Sequence, residues 1–523
     1  MNLATPNSNE TQTFRRSNAV TLFWLALLSF VTALFVFLVL QRLGLPTEIV
    51  IGAIIIGCII VFVGLAWVSR TMTSSLFFHA NRSLGPLTSG LGSMTDILPG
   101  SMLILMFSTH LAGKMALATG LALGVLLQGA LFSAAFQKSG VSSLPGYFAW
   151  RLQRQTTGYL ALIAVFAILA MLALAEFQIA INILQVLTGL PPELTAWVVI
   201  LLAVLPSVFG GWTGLLLVNA TLAIWALVCT LAPATAVGFF SQIFSGTVNP
   251  DVLGAPLEPL NLASTVVLFG SDQVASPTTL IVTVLTIAAG TSVLPQALSR
   301  ISTNSGDVEA IESVGWLALT AFLMLSALPL SLGLVVTTPT SDNLAAVLEN
   351  QPVLQILPYF VILFAALNAL AATLFNAASS VVRASSRLRR LDPGEQSVFS
   401  TRLGILLLAG IILKWPVNLT PSPEQLLTGA LMIGAGGLFV PMVVSTWFGA
   451  LSTWAVSASI LGGTLTTMVL LSPINALLTM PVGWAGISGA AVAVMILVAD
   501  WYYGKMRERS LEMNNSAQML RRH

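Results

Sequence analysis

Charged residues are scarce in this chain, and their scarcity excludes most soluble folds. Only 8% of the 523 residues are Asp, Glu, Lys or Arg, whereas 56% are hydrophobic, and the mean hydropathy is +0.92. Soluble globular domains usually carry about 25% charged residues. The composition therefore predicts a polytopic membrane protein.

Cysteine and histidine are also nearly absent. The two cysteines, Cys58 and Cys229, lie in apolar runs, and the three histidines are far apart. A metal site needs three or four converging ligands, so we expect no metal centre built from these residues. No Gly-rich phosphate loop leads to Lys followed by Ser or Thr, so an ATP-driven pump has no support and we expect no enzyme. The basic residues form no single patch, so we expect no nucleic-acid partner.

Long apolar runs occupy most of the chain instead. A helix of about 20 apolar residues spans a bilayer, and the sequence predicts an all-α fold with about fourteen such helices. They are residues 19–40, 48–68, 84–111, 115–136, 157–187, 194–209, 214–231, 277–297, 314–334, 353–382, 403–413, 426–444, 451–471 and 482–502. The run 403–413 is the weakest, and a poorly separated hairpin is the alternative there. The first run is too long for a signal-peptide core, so we interpret it as a retained span.

The basic residues between these spans indicate an orientation. If the amino terminus is cytoplasmic, only Arg42, Lys114 and Lys414 of the 21 Lys and Arg residues lie outside, and Arg300 is counted among those inside. The positive-inside rule therefore predicts that both termini are cytoplasmic.

Residues 90–100 do not suit an ordinary lipid-facing helix. They include three glycines, a proline and the ionisable Asp96. Bilayer hydrocarbon neither satisfies freed backbone groups nor solvates a carboxylate, so we predict that the span is broken at mid-depth. A second break is predicted at residues 290–295. Paired breaks in the two halves of a membrane protein indicate a solute and ion site between them.

Several short motifs occur in the same order as in the sodium/solute symporter family. They are residues 81–85 (Asn-Arg-Ser-Leu-Gly), 140–151, 188–191, 210–211, 290–300 and 439–463. The chain resembles this family over residues 50–500, and the acetate-permease-like branch is the most similar. The resemblance implies a core of two inverted repeats of five helices, in which spans 84–111 and 277–297 are the broken first helices.

This interpretation divides the chain into five parts. They are an N-terminal cytoplasmic tail (1–18), two peripheral spans (19–82), an inverted-repeat transporter core (83–446), two C-terminal spans (447–503) and a basic cytoplasmic tail (504–523). We expect the last part to be a disordered end beside anionic lipid head groups.

The resemblance also implies a sodium site. By position in the family's motifs, its ligands are Thr95 and Leu98 of the first broken helix, and Ala365, Asn368 and Ala369 of the eighth core helix. The family's usual hydroxyls are replaced here by Asn368 and Ala369, so one ligand is missing. Close helix packing through small residues is the alternative role of this part of the helix.

Six further residues are candidate solute-binding or coupling groups. Asp96 has two compatible roles, as a cation ligand or as a cap on the second half-helix. Glu176 is either a coupling group or a buried acid bonded to a neighbouring helix. The other four are Asn219, where relatives often have an acid, and Gly290, Thr291 and Gln296 at the second break.

Together these features predict a secondary active transporter of a bacterial inner membrane. It would move a small organic solute, with a short-chain carboxylate favoured, together with Na⁺ by alternating access. The alternatives are a proton-coupled symporter that uses Glu176 or Asp96, and a transporter-derived sensor that binds its ligand without transport. We expect no cofactor, and we expect the solute, Na⁺ and the lipid bilayer as partners.

Overall fold

The computed structural model describes residues 24, 28–33, 35–37, 39–40, 43–44, 46–82, 85–108, 111–243, 277–336, 352–389, 395–415, 421–448, 452–472 and 483–520. The described residues are almost entirely helical. Within the first predicted span, residues 28–33, 35–37 and 39–40 are helical.

The remaining helices follow in chain order. They are α1 Thr47–Val68, α2 Ser74–His79, α3 Pro86–Ile97, α4 Gly100–Ser108, α5 Leu111–Leu127, α6 Ala134–Ser139, α7 Leu144–Arg151, α8 Gln155–Thr188, α9 Pro192–Ile243, α10 Pro277–Ser292, α11 Pro295–Ile301, α12 Asp307–Val336, α13 Pro352–Arg389, α14 Glu395–Leu413, α15 Pro423–Ile433, α16 Val440–Trp447, α17 Thr453–Leu471 and α18 Trp484–Leu520. Single π-helical segments, Gln128–Ser133 and Gly434–Phe439, join α5 to α6 and α15 to α16.

Eight of the helical stretches in the described residues are long and apolar enough to cross a membrane. The bent pair α10–α11, with 44° between its halves, makes a ninth. These spans and the nearly all-helical structure confirm the predicted fold class, a polytopic all-α protein. The full number of fourteen spans stays a prediction, because parts of the chain lie outside the described residues.

Prolines cause both predicted helix breaks. Helix α3 ends at Ile97, where Leu98 leaves the helical conformation (φ −116°, ψ 65°) before Pro99. Leu294 does the same (φ −56°, ψ 121°) before Pro295, the first residue of α11. Proline lacks a backbone N–H and disfavours helical geometry in the preceding residue, so each span is divided in two.

The order of the helices agrees with two sets of five. In the first set, the broken helix α3–α4 is followed by α5–α6, α8 and the two parts of α9. In the second set, the broken helix α10–α11 is followed by α12, α13, α14 and α15–α16. Each set thus begins with a broken helix, as the resemblance implied.

Helix α9 contains two predicted spans, 194–209 and 214–231, that are divided at Gly211. This residue has φ 56° and ψ −137°, a conformation that only glycine adopts readily. A Cβ atom there would lie 2.4 Å from the backbone oxygen of Phe77 in α2. Gly211 therefore bends the chain where α2 packs against it.

Two of the three glycines of residues 90–100 do not have the role that was predicted for them. Gly90 and Gly92 lie inside α3 and not at its break. A Cβ atom on Gly90 would lie 2.6 Å from Cβ of Trp316 in α12, and one on Gly92 would lie 2.8 Å from Leu216 in α9. These two glycines let α3 pack closely between neighbouring helices, as small residues do in membrane proteins.

Two other expectations are corrected by the structure. The weak span 403–413 is part of one continuous helix of 19 residues, α14, and not of a hairpin. The tail expected to be disordered continues α18 as far as Leu520. Lys, Met, Arg, Glu and Leu predominate at residues 505–513, and these residues favour helix even where they are polar.

Candidate functional site

The first break exposes the N-terminus of α4 inside the protein, where its N–H groups need acceptors. Glu176 of α8 supplies one: the backbone N–H of Ser101 donates to its Oε1 at 3.2 Å, and the Ser101 hydroxyl donates to the same oxygen. Gly100 permits this approach, since a Cβ atom there would lie 3.0 Å from Glu176 Oε2. Glu176 therefore caps α4.

The two acids make different contacts in this structure. Glu176 is a buried acid bonded to a neighbouring helix, and its side chain is 0% exposed. Asp96 does not cap the half-helix α4. Its carboxylate oxygen Oδ2 lies 2.7 Å from Nε of Arg300, and both side chains are 0% exposed.

The Asp96–Arg300 pair joins the two broken helices. Asp96 lies two residues before the first break, and Arg300 lies on α11, directly after the second break. Counting Arg300 as a basic residue of the inner surface was wrong, because it is fully buried. The intramembrane Asp96 was the sequence signal for a buried basic partner, since a buried carboxylate requires a counter-ion.

Two asparagines extend the pair into a network. We orient the Asn219 amide with its oxygen towards Arg300, because this orientation satisfies both of its polar atoms. The oxygen then accepts from Arg300 Nη2 at 2.6 Å and Nη1 at 3.2 Å, and the nitrogen donates to Asn368 Oδ1 at 3.0 Å. Asp96, Arg300, Asn219 and Asn368 therefore form one buried polar network between α3, α11, α9 and α13.

The residues of the predicted sodium site lie around this network. Thr95, Leu98, Ala365, Asn368 and Ala369 are each at most 3% exposed. The start of α4 packs directly on α13, since a Cβ atom on Gly100 would lie 2.7 Å from Cβ of Ala366. The hydroxyl of Thr95 is buried without a hydrogen-bond partner in the described residues. An oxygen of this kind suits a hard cation, whereas Asn368 Oδ1 is already engaged by Asn219.

The three candidates at the second break lie in different surroundings. A Cβ atom on Gly290 would lie 2.2 Å from the backbone oxygen of Leu431 in α15, and Cβ of Thr291 would lie 2.7 Å from a Cβ atom on Gly124 in α5. These two residues are packed against neighbouring helices. Gln296 is 2% exposed, and its Oε1 has no partner in the described residues. The roles of all three stay predictions.

An aromatic cluster, which we define as Phe77, Phe78, Trp212 and Phe375, lies against the network. Arg300 Cζ is 5.3 Å from the centre of the Trp212 ring. Trp212 contacts Phe375 with ring centres 5.1 Å apart, and Phe375 contacts Phe77 and Phe78 at 5.5 and 6.4 Å. All four side chains are at most 1% exposed, so they close one side of the network with a layer of buried rings.

We predict that Glu176→Ala lowers the free energy of unfolding by about 1–3 kcal/mol, because the buried Ser101 N–H and O–H groups lose their acceptor. Glu176→Gln keeps one acceptor oxygen and is expected to lose less. The apparent melting temperature of the purified protein in detergent measures both effects. Glu193→Gln, at an exposed position of α9, is the control and is expected to change nothing. Equal melting of Glu176→Ala and the parent would contradict the capping role.

Comparison with solved structures finds proteins with a similar fold. The chain is similar to a Na⁺-coupled sialic acid symporter, solved in a substrate-bound outward-open state, with a TM-score of 0.63 and 15% identity over 86% of this chain and 96% of that one. At this identity the likeness shows the fold. Mhp1, a nucleobase-cation-symport-1 family transporter, gives a TM-score of 0.47 at 15% identity over 82% of this chain and 95% of that one. A TM-score below 0.5 does not establish a shared fold.

Sequence comparison gives the family. No curated protein sequence matches the chain. The model of the sodium:solute symporter family matches residues 77–449, which include both broken helices and the buried network. The match extends over more than half of the sequence and confirms the predicted resemblance, and the chain therefore belongs to the sodium:solute symporter family.

Proposed function

We propose that this membrane protein is a secondary active transporter that moves a small organic solute together with Na⁺ by alternating access. The observation that carries the proposal is the buried Asp96–Arg300 pair, which links the two broken helices. In transporters built on broken helices, the half-helix ends and unwound carbonyls bind solute and ion, and one bundle rocks against the other.

For the coupling ion, we propose Na⁺ at Thr95, Leu98, Ala365, Asn368 and Ala369. Family membership and the unpartnered Thr95 hydroxyl support this site. Asn368 becomes a ligand when its Oδ1 turns from Asn219 to the ion. Asn219 would then lose its hydrogen bond to Asn368 while its oxygen still accepts from Arg300. Ion binding and the Asp96–Arg300 pair would therefore be coupled through the Asn219 amide.

For the solute, we propose a short-chain carboxylate such as acetate, on the resemblance to the acetate-permease-like branch. The network is enclosed by buried side chains, which suits a small solute. We further propose a bacterial inner membrane with both termini cytoplasmic, because the basic residues of the loops collect on the side that this orientation makes inside.

Proton coupling is the second candidate, and the environment of Glu176 favours it. This acid is 0% exposed and lies against the break itself, where Ser101 donates to it. A proton on Glu176 would remove its charge and leave one acceptor oxygen for Ser101, which weakens the cap on α4, so protonation and helix movement would be linked.

The test is uptake of labelled acetate and of an amino-acid panel into proteoliposomes, with sodium and proton gradients imposed separately. For the parent we expect sodium-driven uptake of acetate. Asn368→Ala is expected to reduce it about tenfold or more, as expected when an ion contact worth about 1.4 kcal/mol is lost.

Asn376→Ala is the matched control on the same helix. Asn376 is also buried, but its amide donates to Ala372 of its own helix at 2.9 Å, so we expect uptake close to that of the parent. Uptake driven only by protons would move the coupling to Glu176 or Asp96. Binding without uptake would indicate a sensor, and uptake that ignores both gradients would overturn the symporter proposal.

A further inference from the structure

Three buried oxygens outside the Asp96–Arg300 network have no hydrogen-bond partner in the described part of the chain. They are Oε1 of Gln128 on the first π-helical segment, Oγ1 of Thr291 on α10 and Oε1 of Gln296 on α11. Their side chains are 1%, 0% and 2% exposed. A buried acceptor without a donor destabilises the folded protein, so these oxygens require a partner from outside the chain.

The packing of α5 on α10 brings the three side chains together. Two contacts define it: the distance from a glycine's missing Cβ to its neighbour's Cβ is 2.8 Å in Gly120–Ile287 and 2.7 Å in Gly124–Thr291. The second contact lies four residues after the first in both helices, so the two helices run side by side in one direction. The next step of four places Gln128 opposite residue 295, and the π-helical segment does contact α11. Gln128 and Gln296 are therefore neighbours, one turn beyond Thr291.

The end of α10 adds backbone oxygens to this region. The last carbonyls of a helix lack intrahelical donors and carry the negative end of its dipole. Pro295, directly after the break, has no N–H group to offer them. The carbonyl of Val293 accepts no backbone hydrogen bond within the described residues. This end of α10 therefore favours a cation.

The chemistry of the three side chains selects the kind of cation. A carboxylate solute cannot satisfy them, because it also brings only acceptors. Sites for Ca²⁺ and Mg²⁺ usually include carboxylates, whereas Gln128, Thr291 and Gln296 are neutral. Neutral oxygens alone hold a monovalent cation in the selectivity filters of potassium channels. A monovalent cation is therefore the partner that these oxygens suit.

We propose that Gln128 Oε1, Thr291 Oγ1 and Gln296 Oε1 form a second Na⁺ site at the second break, between α5 and α10–α11. This site goes beyond the proposed function, because it shares no residue with the Na⁺ site proposed at the first break. Gln296 lies four residues before Arg300 on the same face of α11, about 6 Å along the helix axis. An ion held by Gln296 would therefore fix the half-helix that carries Arg300.

The test counts the radiolabelled Na⁺ ions that the purified full chain binds in detergent, with choline chloride used to keep the ionic strength constant. At saturation we expect about two ions per chain, one at each break. Thr291→Val keeps the branched shape and removes the hydroxyl. Gln128→Leu removes the amide oxygen. Each of these variants is expected to bind about one ion, or to bind the second about tenfold more weakly or worse, as expected when a contact worth about 1.4 kcal/mol is lost.

Thr286→Val is the matched control on the same helix. Thr286 is also buried, at 2% exposed, but its hydroxyl donates to the carbonyl of Gly483 at 3.2 Å. We therefore expect this variant to bind as many ions as the parent. Asn368→Ala is expected to lose the ion at the first break and to keep the ion at the second.

Melting temperatures separate ion binding from a purely structural role. In choline chloride, Gln128→Leu is expected to melt at or above the parent, because the oxygen that it removes has no partner in the described residues. In sodium chloride the parent is expected to gain more stability than the variant, because it binds one more ion. A variant that melts below the parent in choline chloride and gains as much from Na⁺ would contradict the proposal.

The outcomes also separate this site from the proposed function, since binding in detergent requires neither solute nor gradient. A parent that binds a single ion, lost only in Asn368→Ala, would overturn the second site and leave the proposed coupling site in place. Unchanged binding in both Thr291→Val and Gln128→Leu would overturn it as well. An ion that Thr291→Val loses and Asn368→Ala keeps would support the site, whatever solute the protein transports.

Discussion

Replacing Arg300 with Gln is expected to lower the free energy of unfolding by about 3–5 kcal/mol, because Asp96 would keep a buried charge without its partner. Asp96→Asn is expected to lower the free energy of unfolding by a similar amount, because Arg300 would then keep a buried charge without its partner. The double variant Asp96→Asn with Arg300→Gln removes both charges and is expected to melt above either single variant. Apparent melting temperatures of all four proteins in detergent complete the double-mutant cycle.

A surface ion pair is the matched control for this cycle. Lys138 Nζ lies 3.2 Å from Asp307 Oδ2, but the two side chains are 68% and 38% exposed. Pairs in such surroundings contribute about 0–1 kcal/mol, so Lys138→Gln should leave melting nearly unchanged. If Arg300→Gln melted like the parent, Asp96 would not depend on Arg300. If the two single effects simply added in the double variant, the direct pairing would be rejected.

Replacing Gly211 with Ala is expected to prevent accumulation of folded protein. The new Cβ atom would lie 2.4 Å from the backbone oxygen of Phe77, and the backbone at φ 56° and ψ −137° is strained for any residue with a side chain. The backbone of α2 would have to move, and Phe77 and Phe78 would move with it. The yield of monodisperse protein after membrane extraction measures the effect.

Gly189 provides a comparison in which only the backbone is strained. It ends α8 with φ 65°, and no atom lies within 4 Å of its missing Cβ. Gly189→Ala is therefore expected to cost about 1–2 kcal/mol and to yield folded protein. Equal yields of the two variants would show that contact with Phe77 is not the reason for glycine at position 211.

The fold was largely predictable because its main features are local in sequence. Apolar runs of sufficient length gave the spans, and Pro99 and Pro295 gave the two breaks. The helix α14 was underestimated because its first turns are polar, so hydropathy recognised only its apolar end. Gly90 and Gly92 were assigned to the break because glycine disfavours helix, whereas tertiary packing requires their small size.

The candidate site was less predictable because it depends on contacts distant in sequence. Asp96, Asn219 and Asn368 were each identified separately, but only the structure joins them through Arg300. Arg300 lies near the end of the short half-helix α11, and in sequence this position resembles a loop at the membrane surface. The cap on α4 comes from Glu176, 75 residues from its partner Ser101, and no local pattern predicts such a pairing.

The aromatic cluster has an electrical consequence for transport. A cavity that Phe78 lines on the far side of the cluster is open to the surface, so the membrane potential is expected to fall mostly across the buried layer of rings. Each elementary charge that crosses the whole potential gains or loses about 2.3 kcal/mol per 100 mV. One carboxylate and one Na⁺ that pass together carry no net charge, and their movement is insensitive to voltage. Any additional Na⁺ per solute would appear as inward current.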